Sequence, residues 1–296
     1  MSAAAAAARP VSFAARDGRR LEGLLVSAPQ PMGALLVNGA TGILREFYLR
    51  FAAYAAARGY ATLVYDYRGM GASAVVPPAQ EPARMSDWGC LDIPAALLWL
   101  QDAYPRLPLA TLGHSVGGQL LGCSAEADRA RAHVMIAVST AYWKREHAPF
   151  RYQALAFWHL YGPWLLRRRG YVPRGALWRG AALPPEVFRQ WRRWGLSAAP
   201  FGPALDPELA QRHFAQLRGP ILSWGFSDDP IATPAAVEAL LAAYGGAHIE
   251  RRWSSPRELG VRAIGHHGFF AEAYRDSLWT GALDWIDARC GVAAAR

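Results

Sequence analysis

The sequence predicts an α/β fold: a mostly parallel sheet covered by helices on both faces. Three observations predict it. Short apolar runs alternate with helix-length segments along most of the chain, the rhythm of strands joined by crossover helices. Gly113-His114-Ser115-Val116-Gly117 stands behind the apolar run 108–112 and ahead of the helix-compatible run 119–127, which reads as strand, sharp turn and helix with a serine on the turn. That turn and the loop 38–42 both fall at carboxyl ends of predicted strands, where such sheets bind ligands.

The elements follow in order. Residues 11–14 and 21–27, split by Asp17-Gly18, form a predicted hairpin. The run 34–38 ends in Asn38-Gly39 and reads as a buried strand. Residues 47–58 have helical spacing and stop at Gly59; strand 61–65 follows. A loop from Asp66 to Ser73 and a proline-rich stretch over 75–82 lead to a helix over 88–103, closed off by Pro105 and Pro108. A strand at 109, the serine turn and a strand over 133–139 come next. From about 141 to 217 the rhythm breaks, and prolines, tryptophans and arginines replace it. It restarts with strand 221–224, helix 234–244, strand 248–253 and a closing helix over 269–289. Residues 1–10 are expected to be a flexible tail: they are alanine-rich, without the basic leader of a signal peptide. The expected organisation is a core of 11–140 and 219–296, interrupted by an insertion over 141–218.

Composition narrows the function. With 52% hydrophobic residues in 296, a sizeable core can be buried. Cys90, Cys123 and Cys290 have no motif spacing and read as reduced thiols of a cytoplasmic protein, with no zinc site. No uninterrupted apolar stretch reaches about 18 residues, so no spanning helix is expected. The net charge of +9 lies in the insertion, where thirteen Lys/Arg face four Asp/Glu, while the rest carries nineteen of each. The insertion also holds six of the twelve tryptophans. Three readings of it compete. It is a helical cap with aromatics packed on the body and arginines facing water, a lid over a pocket for a large apolar acyl group with the arginines attracting a substrate anion, or a contact with a membrane surface through 154–169. Nucleic acid is not an expected partner, because the arginines are interleaved with bulky apolar residues and no recognition motif is present.

A serine hydroxyl is a weak nucleophile until a turn presents it and a base takes its proton. The candidate base is a late histidine: His266, with His267 as alternate, in Ile264-Gly265-His266-His267-Gly268. The candidate orienting acid follows a strand: Asp228, with Asp229 as alternate, in Ser227-Asp228-Asp229-Pro230; the other aspartate holds the turn. Val116 N–H, helped by the helix start behind it, is one candidate oxyanion donor. A second comes from the 38–42 loop, Ala40 with Thr41 as alternate. Asp66, Arg68 and Ser73 read as structural. No metal and no organic cofactor is expected, since the chain has no ligand cluster, dinucleotide fingerprint or Walker loop.

The order Ser115, then Asp, then His, together with G-x-S-x-G, resembles the α/β-hydrolase superfamily. Asp66-x-Arg68-Gly69-x-Gly71-x-Ser73 resembles the loop after that superfamily's fourth strand. Asn38-Gly39 stands where many members have His-Gly. Asp87-Trp88 with Asp92, Ser227-Asp228-Asp229-Pro230 and Gly265-His266-x-Gly268-Phe269-Phe270 look closest to little-characterised bacterial hydrolases related to the serine aminopeptidase-like group. The resemblance covers residues 10–290 except the insertion. It implies an α/β-hydrolase fold with Ser115, Asp228 and His266 as triad, and it implies no substrate. The expectation is therefore a serine hydrolase working through an acyl-enzyme on a small ester-like substrate. Acyl transfer, thioester cleavage, or a hydrolase-shaped binding protein with an idle triad are the alternatives.

Overall fold

The computed structural model describes residues 7–199, 209 and 213–292. Residues 1–6 of the expected tail, 200–208 and 210–212 of the expected insertion, and 293–296 of the expected core lie outside the described residues.

The chain opens with an antiparallel hairpin, β1 (Arg9–Ala14) and β2 (Arg20–Ser27), in which Arg9 pairs with Leu25 and Ala14 with Arg20. Pairing with β2 thus draws residues 9 and 10 out of the expected tail. Pro10 is accommodated because β1 is an edge strand, where a missing N–H costs no ladder bond. β3 (Gly33–Asn38), α1 (Leu49–Ala57), β4 (Tyr60–Tyr65), the single turn α2 (Met85–Asp87) and α3 (Ile93–Ala103) follow. Then come β5 (Leu109–His114), α4 (Val116–Gln119) and β6 (Ala132–Ile136). After the helices α5 (Phe150–Ala156), α6 (Gly162–Arg169) and α7 (Pro185–Gly195), the sheet resumes with β7 (Ile221–Phe226), α8 (Pro234–Leu241) and β8 (Ile249–Ser254), and the chain closes on α9 (Thr280–Cys290).

The eight strands lie in the order β1-β2-β4-β3-β5-β6-β7-β8, and from β4 to β8 every pairing is parallel. Every residue of β3, β4, β5, β6 and β7 is buried, as an apolar strand covered by helices on both sides must be. The strand order reverses at β3, whose chain leaves toward β4 on one side while β5 pairs on the other. The loops after β3 and β5 therefore flank a crevice at the carboxyl edge of the sheet.

Helices α5 to α7 lie over that edge. Aromatic side chains of these helices and of the segments joining them form one cluster: Phe157 meets Trp158, Phe188, Trp178 and Trp191 at ring separations of 4.8 to 6.1 Å. Backbone bonds fasten this layer to the crevice, from Ala181 N to Gly42 O at 2.8 Å and from His147 N to Pro230 O at 2.9 Å.

Candidate active site

Ser115 occupies the turn between β5 and α4 at φ 53°, ψ −117°, a conformation that costs a non-glycine residue of order 1–3 kcal/mol. The surroundings hold it there. Ser115 N donates to Ile136 O of β6 at 2.9 Å, and Gly118 N and Gln119 N close the next turn on Ser115 O. The flanking glycines allow the close approach: a Cβ on Gly113 would lie 2.5 Å from Gly118 Cα, and one on Gly117 would lie 2.2 Å from Asn38 O. The helix expected over 119–127 is cut short. α4 spans four residues and a 3₁₀ turn, Leu121–Cys123, replaces the rest. So short a helix adds little dipole to the Val116 N–H.

The late-histidine loop brings His266 Nε2 to 2.9 Å from Ser115 Oγ. Its Nδ1 lies 2.8 Å from Asp229 Oδ2. Asp229, not Asp228, thus holds the imidazole, which corrects the expected pairing. The physical reason is the turn itself, in which neighbouring side chains diverge. Asp229 points inward with its side chain fully buried. Asp228 turns to the loop and accepts the N–H groups of Ile264 at 2.7 Å and Gly265 at 3.0 Å. Burial pushes the Asp229 carboxyl upward, but the His266 imidazole and the amides of Ile231 and Ala232 outweigh it, so its pKa lies below the usual carboxylate range. An ionised Asp229 accepts from Nδ1–H and leaves Nε2 free to accept from the serine hydroxyl. His267 stacks edge-on against His266 and His114, at 5.0 and 5.3 Å, and Ser115 Oγ is met by its neighbour instead.

The loop after β3 departs from expectation at one amide. Ala40 N–H donates to the Tyr48 hydroxyl at 2.7 Å, deep in the protein. The amide expected to point at the oxyanion is therefore committed. Thr41 and Val116 line the same cavity as Ser115.

Tyr48 and His114 are two residues that sequence reasoning did not single out for the site. Tyr48 Oη lies 3.0 Å from His114 Nδ1, and His114 Nε2 lies 2.9 Å from the backbone oxygen of His266. Burial, then the nearby His267 and His266, hold the His114 pKa well below its ordinary value. The neutral ring must carry its proton on Nε2, because the His266 carbonyl can only accept. Nδ1 then accepts from Tyr48 O–H, which itself accepts from Ala40 N–H. One satisfied buried chain of bonds thus joins the β3 loop, the strand before Ser115 and the histidine loop. The signal in the sequence was the histidine inside G-x-S-x-G, whose partner lies 66 residues away.

The cavity over Ser115 holds about 310 Å³. Its walls are largely apolar, with Phe150, Phe157, Trp158, Trp178, Trp191 and Ile231 among them. Glu146 also lines it, buried, with Oε2 unpartnered among the described residues. Burial, with the charge of Asp229 behind it, pushes this carboxyl up to about 8. Asp66, Arg68 and Ser73 stand apart from the serine and serve the fold. Asp66 accepts from Arg45 N and Ala72 N, and Ser73 Oγ donates to Asp66 O. Among the described residues no group of three His, Cys, Asp or Glu is placed to hold a metal ion, and no helix is long and apolar enough to cross a membrane.

The serine aminopeptidase (S33) family matches residues 32–173. Among solved structures, a soluble variant of the monoglyceride lipase of Saccharomyces cerevisiae, in complex with a substrate analogue, aligns with a TM-score of 0.68 at 14% identity over 98% of both chains. A carboxyl esterase of Bacillus coagulans, in complex with glycerol, gives 0.66 at 16% identity over 96% of this chain and 99% of that one. An esterase of Pyrococcus furiosus gives 0.64 at 13% over 96% and 92%. Among curated proteins none matches the sequence. At such identities the likeness is one of fold. Sheet order, serine turn and family match agree, and the chain has the α/β-hydrolase fold.

Proposed function

We propose that this α/β hydrolase is a carboxylic-ester hydrolase that works through a Ser115 acyl-enzyme. The observation that carries the reading is the line of bonds from Ser115 Oγ to His266 Nε2 at 2.9 Å and from Nδ1 to Asp229 at 2.8 Å. His266 Nε2 takes the hydroxyl proton as Ser115 Oγ attacks the substrate carbonyl. Asp229 holds the ring tautomer and stabilises the imidazolium. The oxyanion is received by the N–H groups of Val116 and Thr41, the loop amide left once Ala40 serves Tyr48. When the tetrahedral adduct collapses, the leaving alkoxide takes the proton from Nε2 and departs as the alcohol. Water, deprotonated by the same nitrogen, then attacks the acyl carbonyl, and the proton returns to Ser115 as the acid leaves.

Residues 141–218 act in this reading as a cap, and their aromatic lining suits an apolar acyl or alcohol group. The solved relatives named for ester cleavage support the class of reaction. Labelling with a fluorophosphonate probe and a panel of p-nitrophenyl esters of rising chain length tests it. Ser115→Ala is expected to lose labelling and nearly all turnover while keeping the thermal midpoint. A folded wild-type chain that neither labels nor turns over any ester in the panel overturns the reading.

A further inference from the structure

The helical stretch that runs from α5 through a π-helical turn, Phe157–Tyr161, into α6 buries Phe157, Trp158, Gly162 and Leu165 on its inner side. Its outer side is apolar too. Tyr152 is 58% exposed, Leu160 71% and Trp164 54%. Positions 152, 156, 160, 164 and 168 stand four apart and so follow one another along that face. With Leu177, they account for four of the eight large hydrophobics exposed among the described residues. A shallow groove on this face is formed by Ala156, Leu160, Trp164, Leu177 and two arginines, Arg167 and Arg168.

The arginines beside the groove differ from many of those in the body. Arg19, Arg58, Arg68, Arg251 and Arg289 are each ion-paired. Arg167, Arg168 and Arg169 have no acidic partner among the described residues. The face thus offers protruding aliphatic and aromatic side chains beside uncompensated positive charge. Its occupant must be anionic and also penetrable. A nucleic acid would satisfy the arginines but leave Leu160 in water. An anionic lipid surface takes both, with the rings at headgroup depth and the guanidinium groups on phosphates.

We infer that the outer face of α5–α6 docks on an anionic lipid bilayer surface. Leu177 lines both this groove and the cavity over Ser115. An apolar chain leaving the surface would therefore pass Leu177 on a route from the groove to the cavity. That delivery step rests on the hydrolase reading, whereas the docking does not.

Vesicle flotation of the full chain tests the docking, with phosphatidylglycerol–phosphatidylcholine vesicles against phosphatidylcholine alone. The wild type and Ser115→Ala are both expected to float with the anionic vesicles, more weakly at physiological than at low salt. The charge reversal Arg167→Glu with Arg168→Glu is expected to lower the partition by about tenfold or more. Leu160→Ser with Trp164→Ser is expected to lower it by a similar factor, about tenfold. Both pairs face outward and should keep the parent's thermal midpoint. No flotation with anionic vesicles overturns the inference. So does partition unmoved by either folded double variant, or tighter retention by duplex nucleic acid than by the vesicles. Because Ser115→Ala is carried through the assay, failure of the esterase reading leaves the docking result standing, and failure of docking leaves the chemistry standing.

Discussion

Asp229 has both carboxylate oxygens engaged, one on the His266 ring and the other on the amides of Ile231 and Ala232. Asp228, one peptide away, caps the loop that carries the same histidine. Asp229→Asn is expected to present the wrong tautomer and cut kcat by about 10³–10⁴. Asp228→Asn keeps an accepting oxygen and is expected to cost less than about tenfold. Steady-state kinetics on one ester decides, and the heavier loss at Asp228 would reverse the roles. The sequence singled out the serine, the histidine and the aspartate pair that the fold brings together, because turn chemistry restricts where such residues occur. It could not choose between adjacent aspartates, since nothing local says which side chain the turn aims inward. For the same reason Ala40 and Thr41 were indistinguishable: the deciding contact is a tyrosine hydroxyl from the 3₁₀ turn that ends where α1 begins.

Among the elements, the strands were legible to within about three residues at their ends, most plainly β3 to β7, because a strand covered on both faces must be continuously apolar. The helices were less so. The run 269–289 has helical spacing throughout, yet it folds as 3₁₀ turns, a π turn over Arg275–Trp279 and only then α9. Phe269 and Phe270 are drawn inward against Phe51, and Trp279 Nε1 donates to Phe269 O at 2.5 Å, so distant contacts reset the local ladder. In the segment before α5, Glu146 was invisible as a buried acid because its neighbours are polar. Its pKa is raised from 4.5 to about 8, so the folded chain keeps a proton that the unfolded chain gives up. Stability from this site is intact below pH 4.5 and declines as pH climbs toward 8. Glu146→Gln removes that decline. The variant's advantage in chemical denaturation is expected to grow across this interval to roughly 5 kcal/mol. A constant offset at all pH values would show that the carboxyl is not protonated in the folded chain.

Across the molecule, Arg68 joins parts remote in sequence. Its guanidinium meets Asp17 in the β1–β2 turn at 2.7 Å and the buried Asp92 at the start of α3 at 2.7 Å. Arg68→Met strands that carboxylate in the interior. A loss of about 3–5 kcal/mol in urea denaturation is expected; a loss under about 1 kcal/mol would show that Asp92 needs no counter-charge. The layering of the body was legible from alternation alone. The insertion was not, since its tryptophans and arginines fit a packed cap or an exposed one equally well, and only the folded backbone sorts Trp158 and Trp194 inward from Trp164 outward. That sorting leaves Leu177 as a side chain common to the walls of the outer trough and the chamber above the serine. If the proposed ester hydrolysis holds, the girth of this leucine, as much as the chamber's depth, would set how long an acyl tail is tolerated.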